Sequence, residues 1–178
     1  PASYGYSPLE DIQVLTPQRK GDLGVGALNE SLQAALNPPQ KGKREYKSTF
    51  ATFREGDKVL QTRNNYDIEW EKPGTGEKGM GIYNGDIGII QRIDLVGGTM
   101  EIDFDGRRCE YTLEMAPELD LAYAVTVHKS QGSEYSAVVL PIFGGYDKLY
   151  FRNLLYTAVT RARKLLIIVG SESRVYQM

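Results

Sequence analysis

Three short stretches carry residue types suited to handling phosphate. The first is Thr126-Val127-His128-Lys129-Ser130-Gln131-Gly132-Ser133-Glu134, set between two apolar, strand-like runs. Hydroxyl, imidazole, ammonium and amide groups crowd into one turn there. Such a turn offers several donors to a phosphodiester, and Glu134 can accept from a ribose hydroxyl. The same composition also suits a polar turn that only caps a helix. The second stretch is Leu154-Leu155-Tyr156-Thr157-Ala158-Val159-Thr160-Arg161-Ala162-Arg163. Read as a helix, its apolar stripe centres between Leu154 and Leu155, with Arg161 at one edge. Packing on the stem can hold such an arginine while its guanidinium meets charge on a transferring phosphoryl group. Alternatively, Arg161, Arg163 and Lys164 only complement a helix C-terminal dipole. The third is Val14-Leu15-Thr16-Pro17-Gln18-Arg19-Lys20-Gly21, where Gln18 and Arg19 follow a strand and either face a base and phosphates or form a basic surface loop.

These stretches need a scaffold. Residues 11–15 read as a strand with a polar exit. A helix is expected over 24–36, with Val25, Leu28, Leu32 and Leu36 at helical spacing and Pro38-Pro39 as its stop. Together they make a strand–loop–helix unit of the α/β kind. Residues 41–53 are basic and irregular. From 57 to 113 the apolar period changes to two, with strands at 58–62 and 87–93 and a Gly-rich stretch at 73–81. Asp105-Gly106 and Gly97-Gly98 each suit a two-residue hairpin loop. The first loop sets Ile102 opposite Cys109, Met100 opposite Tyr111 and Asp103 opposite Arg108. The second sets Ile93 opposite Ile102 and Leu95 opposite Met100. All the apolar residues then share one face, and Asp103 and Arg108 form an opposite-charge pair on the other. This predicts a small antiparallel barrel or meander. After Pro117 the α/β pattern resumes: an apolar run at 121–127, a buried strand at 137–142, a helix over 149–163 and a strand at 165–169.

The 178 residues suffice for one domain with a small insertion. No apolar run approaches the roughly 18 residues of a membrane span, and the start has no signal-peptide pattern. The missing initiator Met suggests a chain cut from something longer. One Cys, Cys109, rules out an internal disulfide and fits a reducing cytoplasm, and with a single His it leaves little for a zinc site. Net charge is −2 but unevenly spread: residues 40–63 carry seven basic against three acidic side chains, and residues 94–120 two against eight. Such segregation suits either a local polyanion site or ordinary solvated faces.

Taken in order, the TPQRKG exit of the first strand, TVHKSQGSE, and LLYTAVTRARK with LLIIVG resemble motifs IV, V and VI of superfamily 1 DNA helicases. The HKSQG and YTAVTRA forms look like the RecD-like branch, the exodeoxyribonuclease V alpha subunit family. The resemblance implies a RecA-like (P-loop NTPase-type) domain over 1–52 and 118–178, interrupted at 53–117 by a small antiparallel SH3-like β-barrel. It implies that Arg161 is an arginine finger reaching the γ-phosphate, that Arg19 is a second nucleotide contact beside Gln18, and that Glu134 lies near the nucleotide sugar. Thr126 and His128 would contact the DNA backbone, and Lys129, Ser130 and Gln131 would couple DNA to ATP. The insert would help guide single-stranded DNA. The implied parent is a bacterial cytoplasmic, ATP- and Mg2+-dependent helicase moving 5′ to 3′ in recombination and repair. Its partners would be single-stranded DNA, an N-terminal RecA-like domain and other nuclease or helicase subunits.

The sequence departs from that family in what it lacks. Nothing matches the Walker A phosphate-binding pattern G-x-x-x-x-G-K-[ST]. Gly74-Thr75-Gly76-Glu77-Lys78-Gly79 fails because Met80 stands where Lys should follow, and it reads as a hairpin tip. No Asp-Glu pair at a strand end offers a Mg2+ ligand and a base. ATP and Mg2+ would be held mainly by a domain outside this chain, and the chain alone is expected to be inactive. Two other readings stay open: the helicase part of a conjugative relaxase, and a non-catalytic module binding single-stranded DNA or peptides.

Overall fold

A computed structural model describes residues 5–143, 152–170 and 173. The chain divides into two compact units, residues 1–32 with 123–178, and residues 33–122. The second is wider at both ends than the expected insert of 53–117.

The first unit opens with β1 (Ile12–Thr16) and α1 (Val25–Leu36). Their connection is tight. The Thr16 hydroxyl donates to the Leu23 carbonyl at 2.7 Å and accepts from the Gln18 N–H at 3.1 Å, and the Val25 N–H reaches the Gln18 carbonyl. Gly24 lies so close to the Lys20 backbone that any Cβ there would collide. The boundary between the units falls inside α1.

Residues 33–122 form nine strands. β2 (Glu45–Lys47) and β3 (Thr52–Arg54) make a hairpin within the segment expected to be irregular. Its charged residues mask any alternation. Then come β4 (Lys58–Gln61), β5 (Asn65–Lys72), β6 (Glu77–Ile82), β7 (Ile87–Asp94), β8 (Thr99–Phe104), β9 (Arg107–Thr112), a 3-10 turn (Leu113–Glu118) and β10 (Leu119–Leu121). They build an antiparallel sheet in the order β10-β4-β7-β8-β9-β5-β6. Residues 73–76 are the tip between β5 and β6, as the Gly-rich stretch suggested. The β8–β9 register is the expected one, with Ile102 opposite Cys109 and Met100 opposite Tyr111. Ile90, Ile93, Met100, Ile102, Phe104 and Tyr111 are all buried in one core.

Two details of the expected sheet are corrected. The loop before β8 has four residues, not two. Ile93 faces Met100, and Ile102 faces Ile90 across a bulge. The Asp94 carboxylate accepts from the Val96 and Gly97 N–H groups and closes a wider turn that leaves Leu95 and Val96 exposed. A shift of two residues keeps every side chain on its face, so the apolar alternation does not expose the difference. Asp103 and Arg108 do sit opposite each other, yet they do not pair. Asp103 accepts from the Gly106 N–H at 2.6 Å, and Arg108 bonds Glu101 diagonally at 3.3 Å.

The apolar run at 121–127 is split between the two sheets. The Ala122 N–H donates to the Lys58 carbonyl, whereas the Tyr123 carbonyl accepts from the Val14 N–H. β11 (Ala124–Thr126), β12 (Tyr135–Ile142), α2 (Arg152–Val159) and β13 (Ala162–Gly170) complete the first unit. Its sheet is all parallel, in the order β11-β1-β12-β13. The buried Asn29 side chain pins α1 to β11, giving to and taking from the Ala124 backbone at 3.0 and 2.8 Å. The last helix is shorter than expected. It ends at Val159, where β-branched Val159 and Thr160 meet and Ala162 is drawn into pairing with Tyr135. Residues 149–151 of the expected helix lie outside the described residues.

Candidate functional site

Because all four strands of the small sheet run the same way, it has one edge of strand C-termini and one of N-termini. The expected site residues fall on both. Thr16 pairs with Thr126 at the C-terminal edge. Gln18 and Arg19 follow Thr16 there, Gln18 half-buried and Arg19 exposed. Arg19 makes no hydrogen bond or ion pair to a described residue. Beside it, the Val127 N–H donates to the Thr16 carbonyl at 3.0 Å.

The turn after β11 is built by its own hydroxyls. Thr126 is buried, and its Oγ1 accepts from the Lys129 N–H at 3.2 Å. Ser130 is fully buried and donates to the Val127 carbonyl at 2.7 Å. Both hydroxyls therefore hold the turn, while His128, Lys129 and Gln131 project into solvent. Gly132 adopts φ +85°, a left-handed turn that favours glycine.

The same segment then crosses to the other edge. Ser133 and Glu134 lead into the N-terminus of β12, which lies beside Arg161 at the start of β13: the Tyr135 N–H donates to the Arg161 carbonyl at 2.8 Å. Along the strand, Tyr135 and the Thr16 level are six residues apart, or roughly 20 Å. Glu134 and Arg161 thus share an edge. Arg19 does not, so the three do not converge at one rim.

At this N-terminal edge Arg161 is half-buried, in a turn and not on a helical stripe. Its Nη1 donates to the Ser133 carbonyl at 3.1 Å, and its Nη2 lies 3.5 Å from the Thr160 hydroxyl. Its Nε is buried and has no hydrogen-bond partner. Such an orphan donor on a cation is costly, and an anionic acceptor would relieve it. Burial pushes the neighbouring Tyr135 hydroxyl above its ordinary range, against a Ser133 hydrogen bond and the Arg161 charge. Glu134 is exposed and pairs with Arg163 at 2.7 Å. Arg163 was read from the sequence only as a helix-end cation. Its place opposite Glu134 follows from β13 starting at Ala162, which no local pattern announces. Among the described residues no three His, Cys, Asp or Glu side chains gather to hold a metal ion.

A four-stranded parallel α/β sheet interrupted in sequence by an antiparallel β unit, with basic and hydroxyl groups on its connections, defines the structural class: an α/β domain carrying an all-β insertion. Residues 28–104 match the family described as the ATP-dependent RecD-like DNA helicase SH3 domain, and residues 121–169 match the UvrD-like helicase C-terminal domain. The chain is 40% identical to the ATP-dependent RecD2 DNA helicase of Deinococcus radiodurans, over 91% of its own length and 20% of that protein. It is 32% identical to the RecBCD enzyme subunit RecD of Haemophilus influenzae, over 94% of its length and 24% of that subunit. It therefore spans about a fifth to a quarter of these curated relatives. The Pif1 helicase from Bacteroides in complex with ADP-AlF3 and ssDNA shares the fold at a TM-score of 0.57 and 19% identity, over 94% of this chain and 42% of that one. Pif1 from Candida albicans does so at 0.57 and 16%, over 96% and 48%. The chain belongs to the RecD-like family of superfamily 1 DNA helicases.

Proposed function

We propose that this chain forms one wall of an ATP-driven motor that moves 5′ to 3′ on single-stranded DNA. A second RecA-like domain would hold most of the ATP and its Mg2+. The observation that carries this reading is the segment 127–134. It begins at the C-terminal edge of the parallel sheet and ends at the N-terminal edge, so one short connection touches both candidate ligand sites.

At the N-terminal edge, Arg161 serves as the arginine finger. Its half-buried guanidinium is pre-aimed by the Ser133 carbonyl, and its buried, orphan Nε–H would gain an acceptor only if closure around ATP brought a phosphate oxygen to it. Glu134, held by Arg163, accepts from the nucleotide sugar. At the C-terminal edge, exposed His128, Lys129 and Gln131 meet the DNA backbone, with Thr126 and Ser130 shaping the turn from within. We assign Arg19, with Gln18, to this DNA edge rather than to the γ-phosphate, a reading supported by its position about six strand residues from the Arg161 edge. The SH3-like insert and the action of the whole motor in recombination and repair, alongside nuclease or helicase subunits, complete the reading.

The test is a partition experiment on the assembled motor. Lys129→Ala and Arg19→Ala should each weaken binding of labelled oligo-dT and lower its salt dependence, and His128→Ala should weaken it, all leaving the KM for ATP unchanged. Glu134→Gln should raise the KM for ATP without weakening DNA binding. An Arg19 variant that loses ATP turnover but keeps DNA affinity would return Arg19 to the nucleotide; the reverse behaviour of the whole set would refute the two-edge assignment.

A further inference from the structure

Between α1 and β4 the chain forms a ribbon whose two strands, β2 and β3, pair only with each other. One face is apolar, with half-buried Tyr46 opposite buried Phe53. The base is anchored: the Arg54 Nε donates to Glu45 at 2.5 Å, and the Arg54 N–H donates to the buried Asp57 carboxylate at 2.6 Å. The tip is closed by its own bonds. The Ser48 hydroxyl donates to the Ala51 carbonyl at 3.0 Å and accepts from the Phe50 and Ala51 N–H groups at 3.3 and 3.2 Å. Fixed in that turn, Phe50 is 81% exposed, so its ring finds no cover in the fold.

The ribbon and its approach are basic. Residues 41–54 hold Lys41, Lys43, Arg44, Lys47 and Arg54 against Glu45 alone. Arg54 is taken up by Glu45, Lys43 by the Asn37 side-chain oxygen, and Arg44 by the Ile93 carbonyl at 2.9 Å. Lys41 and Lys47 are exposed, and neither ammonium group has a hydrogen bond or ion pair to a described residue. Lys47 ends β2, three residues before Phe50, or roughly 10 Å of extended chain.

We infer that this ribbon is a contact for single-stranded nucleic acid, with Phe50 stacked on an unpaired base while Lys47 and Lys41 meet neighbouring phosphates. The uncovered ring calls for a flat apolar face, and the free ammonium groups call for negative charge. A single strand supplies both along one backbone. A duplex hides its base faces in the stack, and an apolar pocket on a protein leaves the lysines unmatched. An anionic lipid surface matches the charge, but one ring and two lysines give it little hold. The inference deepens the reading of the β unit as a guide for single-stranded DNA and rests on it. It uses neither edge of the parallel sheet.

The chain is titrated with fluorescein-labelled oligo-dT and with an abasic oligomer of the same length, read by anisotropy. Phe50→Ala should weaken oligo-dT about tenfold with its salt slope unchanged, and leave the abasic oligomer and the melting temperature as they were. Phe50→Trp should keep the affinity, and Phe50→Leu should not. Lys47→Ala should instead lower the slope of log affinity against log salt by about 0.7. Val96→Ala, on an equally exposed apolar tip, should change nothing. The inference is overturned if Phe50→Ala binds oligo-dT as tightly as wild type, if it loses the abasic oligomer equally, or if leucine serves as well as tryptophan. Tighter, Phe50-dependent binding to phosphatidylserine vesicles than to oligo-dT also overturns it. Lys129→Ala runs beside these variants: a loss there with none at Phe50 sinks the ribbon contact and spares the edge assignment, and the opposite pattern does the reverse.

Discussion

Removing the Arg161 side chain should separate stability from activity. In Arg161→Ala the fold loses a charged hydrogen bond to the Ser133 carbonyl, 3.1 Å long, worth about 1.5–3 kcal/mol. It also loses the buried Nε–H that has no partner, whose unsatisfied burial costs about 1–3 kcal/mol. These terms nearly cancel, because the Ser133 carbonyl sits on a partly exposed residue that water can reach. The net change in stability should stay within about 1 kcal/mol, a shift in Tm of a few degrees at most. If Arg161 meets the transferring phosphoryl group, ATP turnover should nevertheless fall about 10³-fold or more, the range of other arginine fingers, or about 4 kcal/mol in barrier. Arg161→Lys keeps the charge but not the planar fork and should recover little. The assay is steady-state ATP turnover of the motor on single-stranded DNA, beside thermal melts of the same variants. Unchanged turnover removes Arg161 from the chemistry. A lost rate matched by a collapsed Tm would show that the side chain is structural and that the orphan Nε argument is wrong.

Three further outcomes are expected. The chain by itself should show no Mg2+-dependent ATP turnover, since the Walker A pattern is missing from its sequence; a measurable rate from pure material would contradict this. Asp57 is fully buried and accepts from the Arg54 N–H, Gln33 Nε2 and Asn37 Nδ2 at 2.6–2.7 Å, so Asp57→Ala should strand three donors and cost about 3 kcal/mol or more. A urea midpoint close to wild type would show that the network relaxes freely. Burial alone would raise the Glu118 carboxyl, but hydrogen bonds from Arg63, Asn65 and Gln61 and the Arg63 charge outweigh it and hold the group below its usual range. Its contribution to stability is therefore complete above the unfolded glutamate value of about 4.3 and is lost as pH falls through the lower folded value. Glu118→Gln should flatten the acid limb of Tm against pH, and an unaltered limb would refute the linkage.

Local chemistry made much of this protein readable from its residues. β1 and α1 follow from apolar spacing and the double proline after the helix. The β8–β9 register follows from Asp105-Gly106, and the buried face from strict alternation. The helicase resemblance came from three ordered motifs. The loop at 95–98 was less legible, because the Asp94 cap widens it by two residues and a shift of two leaves the alternation unchanged. The end of α2 was also hidden, since 152–163 keeps helical spacing past the point where β13 claims Ala162.

What the sequence settled alone is which residues are polar, which are apolar, and in what order they come. It could not say that Arg19 and Arg161 lie at opposite edges of one sheet, or that Glu134 rests on Arg163. Those facts depend on strand order and direction, which arise when four parallel strands stack side by side: β1 sits between β11 and β12 only because the chain returns after a ninety-residue excursion. Periodicity repeats over a few residues, whereas the pairing that sets an edge joins residues more than a hundred positions apart.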